Sequence, residues 1–169
     1  MTVEGVLRRQ AGVISRAQAL AEGMSSAAIS RLLGRGLWVR LHPRVYFATG
    51  HPLTAEARLR AAWLWSGPTA TVAGASAARW HGLWPEPPAT VEMAVPHHRR
   101  LVARPGIHVR RCDLRPADRV EVNGLWVTAA ALTVLEAAVA LGATGSQLLD
   151  RALQRQPGPA SSVITRMGA

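Results

Sequence analysis

The chain has 169 residues, enough for one ordinary domain or two small ones, and 49% are apolar, which supports a packed core and argues against wholesale disorder. Formal net charge is +10, and all 20 basic residues are arginine. That balance favours a polyanionic partner, nucleic acid ahead of membrane, and excludes any chemistry that needs a lysine. The single cysteine, Cys112, leaves no internal disulfide and no cysteine-based zinc site.

Thr2 to Gln10 reads as a first helix with Val3, Val6 and Leu7 on one side. Ser15 is a good helix N-cap, and Gln18 follows at the capping-box spacing. The spacing predicts a short helix from Arg16 to Glu22, stopped at Gly23, and a second capped by Ser25 that runs to Arg35 and Gly36. Two short helices joined by a Gly-containing turn outline a helix-turn-helix. In the second, Ala28, Ile29, Leu32 and Leu33 make a buried stripe, leaving Ser26, Ala27, Ser30, Arg31 and Arg35 outward. A free face of small residues and arginines can enter a major groove.

Leu37–Leu41 and Val45–Phe47 read as two strands around a His42-Pro43-Arg44 turn, the wing of a winged helix. Ser25, Ser26, Ser30, Arg31, Arg35, Arg40, His42 and Arg44 are therefore the candidate DNA-binding residues. Ser26, Ser30 and Arg31 would reach base edges; Arg35, Arg40 and Arg44 would neutralise phosphates, with His42 at the wing tip.

Thr49-Gly50-His51-Pro52 marks a boundary, dividing the chain into a winged helix-turn-helix (1–50) and a mixed α/β domain with C-terminal helices (51–169). The fold class is α+β. Thr54 should cap a helix through about Trp65, followed by a strand at Thr69–Val72, a helix at Ser76–Trp80 and a proline-rich loop at 82–88. Alternation predicts strands at Thr90–Val95 and Ile107–Arg111. Asn123-Gly124 between Val120–Val122 and Leu125–Val127 is a strong hairpin signal. Thr128 should cap a helix to Leu141, and a last amphipathic helix spans Ser146 to Gln156 before Pro157-Gly158-Pro159 and a polar tail. No run of about 18 apolar residues and no N-terminal signal core are evident, so a cytoplasmic location is expected.

Glu92, His97, His98, His108 and Asp113 fit no metal-ligand spacing, so neither a metal nor another cofactor is expected, and no catalytic residue is assigned. His81, between Trp80 and Gly82, reads as a hydrogen-bonded structural residue. Arg99, Arg100, Arg110 and Arg111, with Arg104, could extend the DNA footprint, form a solvated rim, or dock an acidic partner. Trp63, Trp80 and Trp126 fall at core positions, while Trp38 at the start of the wing is the candidate for base stacking.

The order of these features resembles the AbiEi-like antitoxins of abortive-infection (type IV) toxin–antitoxin systems. The resemblance rests on residues 12–47 with the Leu-His-Pro-Arg-Val-Tyr wing at 41–46. It continues through Ala75-Ser76-Ala77-Ala78, His81-Gly82-Leu83, Val91 to Arg100, and Asn123 to Thr128. It implies a winged helix that binds operator DNA and represses its own operon. It also implies a second domain that counteracts a nucleotidyltransferase-like toxin. Some relatives continue into a very-short-patch-repair-type nuclease domain; none is expected here. Where relatives often carry Pro-Ala-Arg-Thr, this chain has Ala130-Ala131-Leu132-Thr133. The expected partners are double-stranded DNA and a cognate toxin, with a homodimer on two half-sites and no membrane. The alternatives are a toxin-neutralising interaction protein with no sequence-specific DNA role and, last, the remnant of a nuclease-associated protein.

Overall fold

The computed structural model describes residues 2–155. Thr2 caps α1 (Val3–Arg9), its hydroxyl accepting from the Gly5 amide at 3.1 Å. The chain then turns at Gly12, where φ is +82° and a Cβ would lie 2.6 Å from that of His51, so only glycine fits. Next comes β1 (Val13–Ser15), a strand too short to show a period in the sequence. Ser15 ends it and caps α2 (Arg16–Ala21), and Gln18 returns the bond, completing the expected capping box. Ser25 caps α3 (Ser26–Gly34), and the wing follows as β2 (Trp38–His42) and β3 (Val45–Ala48). The three strands form an antiparallel sheet in the order β1-β3-β2.

All four residues of β3 are buried, because this sheet is covered on both faces. Ile14, Trp38, Tyr46 and Ala48 pack against Val6, Leu7, Ala19 and Ile29 of the three helices. Val13, Val45 and Phe47 face the other way, onto Ala57 and Ala61 of α4 (Ala55–Ser66). Trp38 is therefore a core residue and not a base-stacking platform. Its ring stacks on Tyr46, with centroids 5.8 Å apart, as diagonal neighbours on one face of a strand pair do.

The helix α4, capped by Thr54, also belongs to the second core, since Leu59 and Ala62 pack against a five-stranded sheet. The strands of that sheet are β4 (Thr71–Val72), β5 (Val91–Val95), β6 (Ile107–Arg111), β7 (Arg119–Val122) and β8 (Leu125–Thr128). Their spatial order is β6-β5-β4-β8-β7, with β5–β6 and β4–β8 parallel and the other pairs antiparallel. Asn123 and Gly124 both have positive φ, +50° and +78°, and close the β7–β8 hairpin as the sequence predicts. Between β4 and β5 lies α5 (Gly74–Trp80), and α6 (Ala130–Leu141) and α7 (Gly145–Arg155) follow the sheet. The expected end of α7 at Gln156 lies outside the described residues.

One expectation for this region is corrected. Thr128 is the last residue of β8 and caps nothing; Ala129 holds the N-cap position without a side-chain bond. The Thr128 hydroxyl is instead paired, fully buried, with the Thr133 hydroxyl at 2.7 Å, and Thr133 Oγ1 donates to the Thr128 carbonyl at 2.8 Å. The stretch 130–154 is, by length and composition, apolar enough to cross a membrane. However, Gly142, at φ +53°, divides it into helices of 12 and 11 residues. At about 1.5 Å per residue, neither reaches across a hydrocarbon core of about 30 Å. The two helices fold back on each other, with Gly145 so close to the Ala138 carbonyl that a Cβ would meet it at 2.2 Å.

The double duty of α4 gives a stability prediction. Ala61→Leu forces extra methylenes between α4 and the wing sheet and should cost about 1–3 kcal/mol, read as a lowered urea midpoint with an unchanged slope.

Candidate nucleic-acid interface

Burial of one α3 stripe decides what the helix leaves outside. Ile29 is buried and Ala28, Leu32 and Leu33 are half-buried, while Ser25, Ser26, Ser30, Arg31 and Arg35 are exposed. The Ser25 hydroxyl accepts from the Ala28 amide at 3.1 Å, so its first task is the cap. Ser26 accepts from the Arg16 guanidinium at 2.8 Å.

Arg16 is the residue that sequence reasoning missed. It opens α2, where the helix dipole disfavours a cation, so its presence there was itself a signal. Its backbone amide donates to the Arg44 carbonyl at 2.8 Å, tying the start of α2 to the wing tip. Arg16, Arg40 and Arg44 line one groove with Leu20, Pro43 and Tyr46. None of these arginines, nor Arg31 or Arg35, has a carboxylate partner among the described residues. Arg44 sits at φ +62°, a conformation that costs an L-residue other than glycine about 1–2 kcal/mol.

His42 does not share this surface. A bulge between Arg40 and His42 shifts the register against β3, so that the side chain turns to the α4 side of the sheet. There the half-buried ring meets Trp65, with centroids 5.6 Å apart. Without the bulge, the two-residue period would have placed it beside Arg40.

The second basic group divides. Arg99 donates to the Ser66 carbonyl at 3.0 Å, and Arg110 is ion-paired with Glu136. Arg104 lies over the Trp65 ring at 5.7 Å. Arg100 and Arg111 are exposed and have no ion pair among the described residues. No group of three or more potential metal ligands occurs among the described residues; Asp113 accepts instead from the His97 amide at 3.1 Å. His81 Nε2 lies 2.8 Å from the Thr128 carbonyl, the structural bond expected of it.

Comparison with known proteins follows the same two parts. Residues 3–46 match a family described as a transcriptional regulator, AbiEi antitoxin, and residues 70–155, just over half the chain, match the AbiEi antitoxin C-terminal domain. The chain belongs to the AbiEi antitoxin family. The two matched regions cover the winged helix and the sheet that follows it. A search of curated proteins returned no match. Among solved structures, the chain is similar to the RV2827C protein from Mycobacterium tuberculosis, with 22% identity and a TM-score of 0.46. That similarity covers 69% of this chain and 45% of the other, so this chain spans less than half of that protein's length.

The placement of His42 predicts a pH dependence. Burial first, and then the nearby Arg104 charge, push the imidazole below its usual 6.5. As pH falls through that value the unfolded chain binds the proton first, so stability falls until the folded pKa is passed. His42→Gln should therefore lose less melting temperature between about pH 7.5 and 5.5 than the parent protein.

Proposed function

We propose that this AbiEi-family protein binds operator DNA through α3 and the wing and represses its own operon. We further propose that it counteracts a nucleotidyltransferase-like toxin encoded beside it. The observation that carries the DNA reading is the set of arginines without carboxylate partners among the described residues on the winged helix: the exposed Arg31, Arg35, Arg40 and Arg44, with the half-buried Arg16. Ser26, Ser30 and Arg31 on α3 would face base edges; Arg35, Arg40 and Arg44 would lie along phosphates. Arg16 joins the phosphate set, steered by Ser26. His42, packed on Trp65, is left out.

Roles of the two kinds are separable by measurement. Arg44→Asn removes the charge while keeping a residue that accepts positive φ. It should weaken all duplexes about equally and lower the salt slope by about one. Arg31→Ala should relax base preference at one position, at a cost of about 1–3 kcal/mol. If neither change alters a mobility shift on the DNA upstream of the gene, the reading fails.

The toxin-directed part has its own supporting observation. Leu135 and Val139, one turn apart on α6, are 62% and 84% exposed and form an apolar ridge, and Leu153 on α7 is 69% exposed. In a co-expression assay with the neighbouring gene product, Leu135→Glu with Val139→Glu should abolish rescue while DNA binding is unchanged. Retained rescue would leave repression as the sole means of control.

A further inference from the structure

Behind the wing, on the sheet face opposite α3, a cleft of 850 Å³ opens between α4, α5 and the start of β6. Its buried lining joins the apolar Leu59, Ala61 and Ile107 to two buried polar residues already partnered, Arg60 and Ser76, whose hydroxyl accepts from the Glu92 amide at 3.0 Å, with the half-buried Trp80 beside them. Trp80 is a rigid wall, because its indole N–H donates to the Val122 carbonyl at 2.9 Å.

The charge around that apolar floor is one-sided. Arg58, Arg60 and Arg79 line the cleft against a single carboxylate, Glu56. Glu56 is already committed, accepting from Arg60 at 2.8 Å, and Arg60 is further held over the Trp80 ring at 5.0 Å. Arg58 and Arg79 remain exposed, with no ion pair among the described residues. His42 and Asn123 add polar edges, and the exposed Ala89 is among the lining residues.

We propose that this cleft binds a small organic anion with a flat apolar body, its carboxylate, sulfonate or phosphate end held by Arg79 and Arg58. The volume falls in the range of small-molecule sites, about 300–1,000 Å³, and the position between two packed units is where such sites concentrate. An inorganic anion would leave the apolar floor wet, and a cation would meet two unneutralised guanidinium groups. The site lies away from the α3 face and does not rest on the DNA reading: a protein indifferent to DNA would still bind the ligand.

The test uses the full chain and 8-anilinonaphthalene-1-sulfonate as the probe, followed by its fluorescence. Binding should saturate at one site, and Arg79→Ala should weaken it about tenfold, the loss of one charge-assisted contact. Ala89→Trp, which adds bulk to the lining without touching a charge, should abolish it. Leu135→Glu with Val139→Glu, which removes the apolar ridge elsewhere, should leave it unchanged. The uncharged N-phenyl-1-naphthylamine should bind about tenfold more weakly. Circular dichroism of each variant establishes that it is folded, and Arg79, on the surface, is the substitution that folding tolerates best. The proposal is overturned by absence of saturable binding, by binding that withstands Arg79→Ala, by loss with the ridge variant, or by equal affinity for the uncharged probe.

Discussion

Everything in this molecule leans on the contact between α4 and the underside of the wing sheet. Ala57 and Ala61 are fully buried there, and only side chains that small let the helix backbone lie close to Val13, Val45 and Phe47. Leu59 and Ala62 on the same helix enter the core of the second sheet. The two cores therefore share a wall. The three helices before the wing and α4 together cover both faces of β3, and the arginines of β2 and the wing tip, Arg40 and Arg44, are left exposed beyond them.

That constraint sorts the excess positive charge. In the second unit, guanidinium groups are mostly occupied: Arg60 by Glu56 and the Trp80 ring, Arg110 by Glu136, Arg115 by Asp118, and Arg119 by the Trp126 face at 4.2 Å. The exposed pair Arg115–Asp118 contributes little to stability in water. Around α3 and the wing, by contrast, the Arg16 guanidinium donates to Ser26, and none of Arg16, Arg31, Arg35, Arg40 and Arg44 has an ion pair among the described residues. Self-repulsion among like charges left unpaired costs the free protein stability, and any partner that neutralises them would recover it.

Much of this was legible in the sequence because its signals are local. Ser15 with Gln18, Ser25 before an apolar stripe, Thr54, and Asn123-Gly124 each fix backbone geometry within four residues, and each stands where the sequence places it. What escaped depends on distant neighbours. The strand β1 is three residues long and exists only because β3 lies beside it. Trp38 reads in the sequence as a stacking candidate at the start of the wing, and Tyr46 across the sheet makes it a core residue. Thr128 has the chemistry of a cap, but the Thr133 hydroxyl five residues on claims it inside the core. His42 was misplaced by one bulge, which no period in the sequence announces. The candidate site was thus readable as a helix face and a basic ribbon, while Arg16, joined to it through Ser26 and the Arg44 carbonyl, was not.

The left-handed backbone at Arg44 has an evolutionary corollary. Glycine or asparagine would relieve the torsional penalty at that corner at once. Selection for heat resistance alone, in a setting where recognition of a polyanion confers no advantage, would therefore drift toward those residues at position 44. An arginine there holds a strained corner of the wing. Laboratory stabilisation of this chain should accordingly begin by holding that one position fixed.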